Sequence, residues 1–283
     1  MQIVKTIPAL QAALKIWRQA GEIIAFVPTM GNLHDGHLKL VEDAKNRANR
    51  VVVSIFVNPS QFGAGEDFDS YPRTEQEDQQ KLQEIDTDLL FMPTIAEMYR
   101  PNAQTVVSVT GISDQYCGAS RPGHFSGVAT IVCKLFNIVQ PDIAVFGEKD
   151  FQQLAVIREM VRDLNMPVDI RSVATVREAS GLAMSSRNNY LGAEEKNLAA
   201  LLYQSLCTAR DAVLTGNQAN SEIERQAMCF LQGAGFQPDY FSICRRQDLR
   251  AAAPEDAELV ILAAAKLGKT RLIDNISFMR QLQ

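Results

Sequence analysis

The sequence predicts an α/β fold: a doubly wound parallel sheet over residues 1–175, then a smaller α+β domain over 176–283. Three observations carry this. The runs at 23–27, 51–57 and 142–146 are apolar and rich in β-branched residues, as strands buried on both faces of a parallel sheet must be. Segments with helical apolar spacing alternate with them. Past residue 190 the order changes to two amphipathic helices followed by three short apolar runs.

Taken in order, residues 8–20 place Leu10, Leu14 and Trp17 at helical spacing; Pro8 suits a first turn and Gly21 a stop. The strand at 23–27 leads through two glycines into a helix over 38–44. The strand at 51–57 ends in Asn58-Pro59-Ser60-Gln61. Thr74 and Glu77 have the spacing of a capping box, and the helix they open runs through Leu82 and Ile85. A third strand spans 87–92, and alternating and adjacent valines predict another over 104–110. Residues 125–139 are apolar almost all round, so that helix is internal. After 142–146 comes a helix with Leu154, Ile157 and Val161, and 168–174 reads as the last strand of the domain. Residues 179–188 are small and polar, a poor core, and read as a flexible loop or linker. Helices over 193–214 and 219–233 and strands at 240–244, 259–263 and 270–275 complete the chain, the strands forming a small antiparallel sheet.

Bulk properties narrow the function classes. The chain has 283 residues, 46% hydrophobic and 22% charged, enough for two domains with a sizeable core. A net charge of −5 with no Lys/Arg block gives no reason to expect nucleic-acid binding. No apolar run approaches a membrane span, and the N-terminus lacks a signal-peptide pattern. Five scattered cysteines without a CxxC read as reduced, mostly buried thiols of a cytoplasmic protein.

The most informative stretch is Pro28-Thr29-Met30-Gly31-Asn32-Leu33-His34-Asp35-Gly36-His37. A strand, a glycine-bearing turn and a helix start leave backbone N–H groups open at a positive helix end, and two imidazoles stand at its mouth. That arrangement suits polyphosphate. With only one other histidine, His124, and no nearby cysteine pair, a zinc site is disfavoured. No Gly-Lys-Ser/Thr follows, so this is not a Walker A loop. Asn58 and Gln61 lie past the end of a strand, where open α/β sheets bind ligands, though a plain polar turn reads the same way. Arg121 and His124 open the internal helix and suit either an anionic ligand or a solvated loop. Gly147-Glu148-Lys149-Asp150 repeats the strand, glycine and charged-turn pattern; Lys149 suits a phosphate or a local ion pair. Ser185, Ser186 and Arg187 place donors in the 179–188 loop.

The His-x-Gly-His pattern after a strand resembles the signature of the nucleotidyltransferase superfamily, whose histidines contact ATP phosphates. Together with Ser54-Ile55-Phe56-Val57-Asn58-Pro59, Gln61-Phe62, Tyr71-Pro72-Arg73-Thr74, Arg121-Pro122-Gly123-His124-Phe125, Phe146-Gly147-Glu148-Lys149-Asp150-Phe151-Gln152-Gln153 and Ser185-Ser186-Arg187-Asn188, it resembles one family closely. That family is pantothenate synthetase (pantoate–β-alanine ligase). The order of the motifs matches from residue 3 to about 275.

The resemblance implies a Rossmann-like first domain for nucleotide and pantoate, and a second domain acting as a lid. It implies ATP-dependent condensation of (R)-pantoate with β-alanine to pantothenate through a pantoyl adenylate, with release of pyrophosphate and AMP. Met30, Gly31, Asn32, Leu33, His34, Asp35, Gly36 and His37 would bind ATP, His34 and His37 at its phosphates and His37 as the proton donor. Gly147, Glu148, Lys149 and Asp150 would hold the nucleotide, Lys149 on phosphate and Asp150 on ribose. Val176 would meet the adenine edge through its backbone. Met184, Ser185, Ser186 and Arg187 would close over the triphosphate, and Ser185 and Arg187 join the histidines and Lys149 as catalytic candidates. Gln61 and Gln153 would grip pantoate, with Asn58 and Arg121 in the same pocket. Mg2+ is implied with ATP, with no protein metal site beyond Asp78 as a candidate ligand, and so is a homodimer. Two rivals remain: a nucleotidyltransferase acting on another small acceptor, and a non-catalytic nucleotide-binding module. The paired glutamines favour the ligase over the first, and the retained His34, His37, Lys149 and Arg187 argue against the second.

Overall fold

The computed structural model describes residues 1–63 and 65–281. Their contacts separate the chain into two compact units, Met1–Glu148 with Val156–Ala174, and Lys149–Ala155 with the chain from Thr175 onward.

The first unit runs β1 (Gln2–Val4), α1 (Ile7–Gln19), β2 (Ile24–Thr29), α2 (Asp35–Lys45), β3 (Arg50–Ile55), α3 (Glu75–Glu84), β4 (Leu89–Phe91), α4 (Ile95–Met98), α5 (Cys117–Ser120), α6 (His124–Val139), β5 (Ile143–Gly147), α7 (Phe151–Asp163) and β6 (Asp169–Val173), the first turn of α7 counting with the second unit. All six strands pair in parallel in the order β1-β4-β3-β2-β5-β6. The order reverses between β2 and β5, and the crevice at the carboxyl ends of such a pair is where doubly wound sheets take ligands.

The strands read as unbroken apolar runs because both faces are covered. Ala25, Val27, Val51, Val53 and Val145 pack with Leu40, Val41 and Ala44 of α2. Phe26, one residue out of step, meets Phe136 of α6 edge-on at 6.5 Å on the opposite face. Burying each such side chain is worth roughly 1.5–3 kcal/mol. Ten residues of α6 are buried, as its apolar circumference predicts.

Three local expectations fail for physical reasons. Residues 104–110 form no strand: the extended chain lies along α6, where Val107 N–H donates to Thr130 Oγ1 at 2.9 Å, so a side chain takes the place of a neighbouring strand. Thr74 precedes α3, but its side chain makes no capping bond. Cys117 and Cys244 are buried, Cys133 and Cys207 half-buried and Cys229 exposed; all five are free thiols, fewer of them buried than composition suggests.

The second unit continues with α8 (Ala193–Ala199), α9 (Leu201–Thr215), α10 (Asn220–Gly233), β7 (Gln237–Arg245), β8 (Glu258–Leu267) and β9 (Thr270–Met279). The helix expected over 193–214 is two helices meeting at Ala200. The strands pair antiparallel in the order β7-β8-β9 and are nine or ten residues long. They outrun their apolar runs because ladder hydrogen bonds carry the polar ends. Leu206, Val213, Leu231, Phe241, Leu259 and Ile261 form the core. Among the described residues, no helix is long and apolar enough to cross a membrane.

Candidate active site

In the first unit, the 30–37 loop leaves β2 at the switch point. Thr29 Oγ1 donates to Ser54 O at 2.8 Å and accepts from Gly31 N–H at 3.2 Å, tying the loop to β3. Gly31 has φ +81°, and a Cβ there would stand 3.0 Å from Ile55 Cγ2 and 3.1 Å from Asp78 Oδ2, so glycine is required on both counts. Asp78, 1% exposed, accepts from Asn32 N–H at 2.8 Å and Leu33 N–H at 2.7 Å, one carboxylate oxygen each. Asp78, expected as a candidate Mg2+ ligand, thus has a structural duty: its oxygens hold the loop's backbone.

The histidines differ from expectation in a related way. His34 is the N-cap of α2; its Nδ1 accepts from Gly36 N–H at 3.2 Å, and His37 Nδ1 accepts from His34 N–H at 3.3 Å. The two rings thus form a capping box and occupy N–H groups the sequence left open for an anion. Each neutral ring must then carry its proton on Nε2. The ring centroids lie 4.1 Å apart at a tilt of 42°, so the two imidazoles stand side by side at the start of α2.

Past β3, Asn58 and Gln61 are 1% and 9% exposed, too buried for a plain polar turn. Asn58 Nδ2 donates to Gln61 Oε1 at 3.0 Å. Arg121 donates to both carboxylate oxygens of Glu66 at 2.6 Å and to His124 Nε2 at 3.0 Å; since an arginine only donates, His124 carries its proton on Nδ1 and gives it to Gln61 O at 2.8 Å. Burial raises the Glu66 carboxyl, but the Arg121 hydrogen bonds and charge outweigh it and bring it from 4.5 to about 2. Glu66 was not legible in the sequence, which offers no spacing that links it to Arg121. At the end of β5, Gly147 has open space where a Cβ would be, and Glu148 Oε1 accepts from Ser172 Oγ at 2.9 Å.

In the second unit, Lys149 Nζ lies 3.6 Å from Asp150 Oδ2, and Lys149 O accepts from Asn275 Nδ2 at 3.0 Å. Gln153 is half-buried on α7. Val176 O accepts from Met184 N–H at 2.9 Å, and Arg177 bridges to Ala183, so 176–184 is a small hairpin that turns at Gly181 with φ +93°. Leu182 and Ala183 are each 4% exposed, which corrects the reading of this stretch as a poor core. Nor is it held loosely: Arg177 makes a bidentate pair with Asp274 at 2.6 and 3.0 Å and lies 3.5 Å over the Tyr203 ring. Burial pushes the Asp274 carboxyl up, and the Arg177 bonds pull against it. Ser185 Oγ accepts from Arg187 N–H at 3.2 Å, opening the 3-10 turn Ser186–Tyr190 in which Ser186 is buried. Asn188 Nδ2 ties that turn to Glu178 and to Ala183 O, both at 3.0 Å.

The model of the family Pantoate-beta-alanine ligase matches residues 2–277. The chain belongs to the pantoate–β-alanine ligase family. A pantothenate synthetase of Methylococcus capsulatus is 57% identical over 278 residues, 98% of this chain and 97% of that one. The crystal structure of pantothenate synthetase from Thermus thermophilus superposes with a TM-score of 0.92 at 45% identity, covering 98% of this chain and 99% of that one. The pantoate–β-alanine ligase of Francisella tularensis, solved with a β,γ-ATP ligand and β-alanine, gives 0.82 at 33% identity, with 98% and 97% coverage. This ligase therefore joins pantoate to β-alanine with consumption of ATP and forms pantothenate.

Proposed function

We propose that the reaction runs in two steps on the residues named above. A pantoate carboxylate oxygen attacks the α-phosphorus of ATP, the bond to the bridging oxygen breaks, and pyrophosphate leaves. The amine of β-alanine then attacks the acyl carbon of pantoyl adenylate, AMP leaves, and the amine gives up a proton. A carboxylate is a poor electrophile near neutral pH, and adenylation supplies its leaving group. The chain's contribution is to hold two anions in line and to stabilise charge on the triphosphate.

The observation that carries this reading is the pair of adjacent imidazoles, His34 and His37, on a loop whose backbone Asp78 fixes at the switch point of the sheet. His34 and His37 donate Nε2–H hydrogen bonds to ATP phosphates, and His37 stabilises the developing charge. Lys149 takes phosphate, Asp150 the ribose, the Val176 backbone the adenine edge, and Met184 to Arg187 the triphosphate. Gln61 and Gln153 bind pantoate, and Gln61 also serves β-alanine.

Each Asp78 oxygen accepts one backbone N–H of the loop. Mg2+ enters as part of the Mg·ATP substrate and keeps most of its waters. The same reading extends to a cytoplasmic homodimer.

The deciding experiment gives the purified protein Mg·ATP and (R)-pantoate and follows pyrophosphate and AMP with and without β-alanine. Pyrophosphate that requires pantoate, with AMP turnover only on adding β-alanine, is the expected result. Pyrophosphate without pantoate would favour transfer to another acceptor.

A further inference from the structure

The two ends of a glutamine amide have nearly the same shape, so its neighbours decide whether Gln61 presents a donor or an acceptor. The chain of neighbours begins at groups that have no choice. Gly127 O, a backbone carbonyl, can only accept, and it takes Asn58 Nδ2 at 3.2 Å. Ser60 N–H can only donate, and it points at Asn58 Oδ1 at 3.4 Å. The shortest bond in the set is from outside this turn: Tyr99 Oη donates to Asn58 Oδ1 at 2.7 Å. Ser60 Oγ lies 3.0 Å from both Asn58 Oδ1 and Tyr99 Oη. Burial pushes the Tyr99 phenol up, which keeps it protonated and a donor.

With its oxygen held there, Asn58 turns Nδ2 to Gln61, which answers with Oε1 at 3.0 Å. The Gln61 Nε2 end is left facing Met30 Sδ at 3.1 Å. A thioether is a weak acceptor, so these N–H groups are ready for a better one. The seat is tight: a Cβ on Gly127 would stand 2.1 Å from Ser60 O and 2.8 Å from Gln61 Cα, so the turn rests directly on the α6 backbone.

We propose that Tyr99 is a specificity-setting positioning residue. Through Asn58 it fixes Gln61 as a hydrogen-bond donor toward an acceptor oxygen of pantoate, and so Asn58 serves the site by orienting Gln61. This rests on the reading of Gln61 as a pantoate residue. Tyr99 itself touches no reacting atom; its ring packs near Phe56 at 6.4 Å and under Lys134 at 5.6 Å, contacts a phenylalanine would keep.

The test is a cycle of four full-length proteins: the parent, Tyr99→Phe, Gln61→Ala and the double variant. The steady-state KM for pantoate is measured at saturating Mg·ATP and β-alanine. Tyr99→Phe is expected to raise the pantoate KM roughly fivefold to tenfold, the worth of one partly buried hydrogen bond, with the KM for ATP changing less than about twofold. In the Gln61→Ala background the same substitution should change the pantoate KM less than about twofold, because the amide it orients is gone. An unchanged pantoate KM in Tyr99→Phe, with a raised one in Gln61→Ala, overturns the role of Tyr99 and leaves the pantoate assignment standing. Equal rises in both backgrounds would make Tyr99 merely structural and also overturn it. An unchanged KM in Gln61→Ala removes the pantoate assignment and this inference together.

Discussion

Each unit holds its candidate loop with one buried aspartate brought from far along the chain, but the two do it differently. Asp78 is spent on backbone: its oxygens take the N–H groups of Asn32 and Leu33, which dictates the φ/ψ path of the 30–37 loop. Asp274 is spent on a side chain: it takes the Arg177 guanidinium, which docks the 176–184 hairpin as a body and leaves its internal shape to the hairpin's own hydrogen bonds. Backbone clamping suits a loop that presents donors at fixed positions. Side-chain docking concentrates the hold on one residue, Arg177, which adds its place over the Tyr203 ring to the ion pair, alongside the burial of Leu182 and Ala183.

That difference can be broken at Arg177 first. Arg177→Ala leaves the Asp274 carboxylate buried without its partner and should destabilise the second unit by about 3–5 kcal/mol, with early amide exchange across 177–184. A loss below about 1 kcal/mol would mean the hairpin does not depend on the pair. His37→Ala and Lys149→Ala, one from each unit, should each slow adenylation by about 10²–10³-fold, as removal of a charge-stabilising donor does. They should separate in stability: His37→Ala also removes a helix-capping acceptor worth about 1 kcal/mol, whereas Lys149→Ala gives up a 3.6 Å ion pair with Asp150 and its charge near Asp274, interactions of small worth. A near-parental adenylation rate in either variant would take that residue out of the mechanism.

Asp78→Ala orphans two buried N–H groups and should cost about 2–4 kcal/mol by urea unfolding, with weakened ATP binding. Asp78→Asn keeps one acceptor oxygen and should cost about half as much. Equal losses would show that charge, not the two backbone bonds, is what the loop needs. The smallest effect is at Glu66, whose carboxyl is held at about 2. A lowered folded pKa stabilises above the unfolded value and loses that contribution as pH falls toward the folded one. Glu66→Gln should therefore cost about 1–2 kcal/mol at pH 7, and the gap to the parent should close between about pH 4.5 and 2. A gap that persists at low pH would assign the effect to packing.

The strands were legible because burial on both faces leaves an unbroken apolar run, and the 30–37 motif because it pairs glycines with histidines where a strand meets a helix. Residues 104–110 misled because valines at strand-like spacing also suit an extended segment packed on a helix, and the two look alike until the partner is known. Thr74 misled in the same way: its spacing to Glu77 fits a capping box, but its ψ of 50° lies outside the extended backbone an N-cap residue takes, and its side chain makes no capping bond.

Asp78, Glu66, Tyr99 and Asp274 were opaque as holders of the site. Each acts on residues 41 to 97 positions away, beyond any local period. Periodicity, glycine placement and helix signals are local, so the sequence by itself determined most of the elements, their order, the family and the chemical type of the motif residues. Which carboxylate holds which loop, which end of Gln61 faces outward and which imidazole nitrogen carries the proton were decided only in the tertiary structure. Those choices depend on acceptors and donors that meet once the chain has folded, and a buried polar group must take whatever partner packing brings to it.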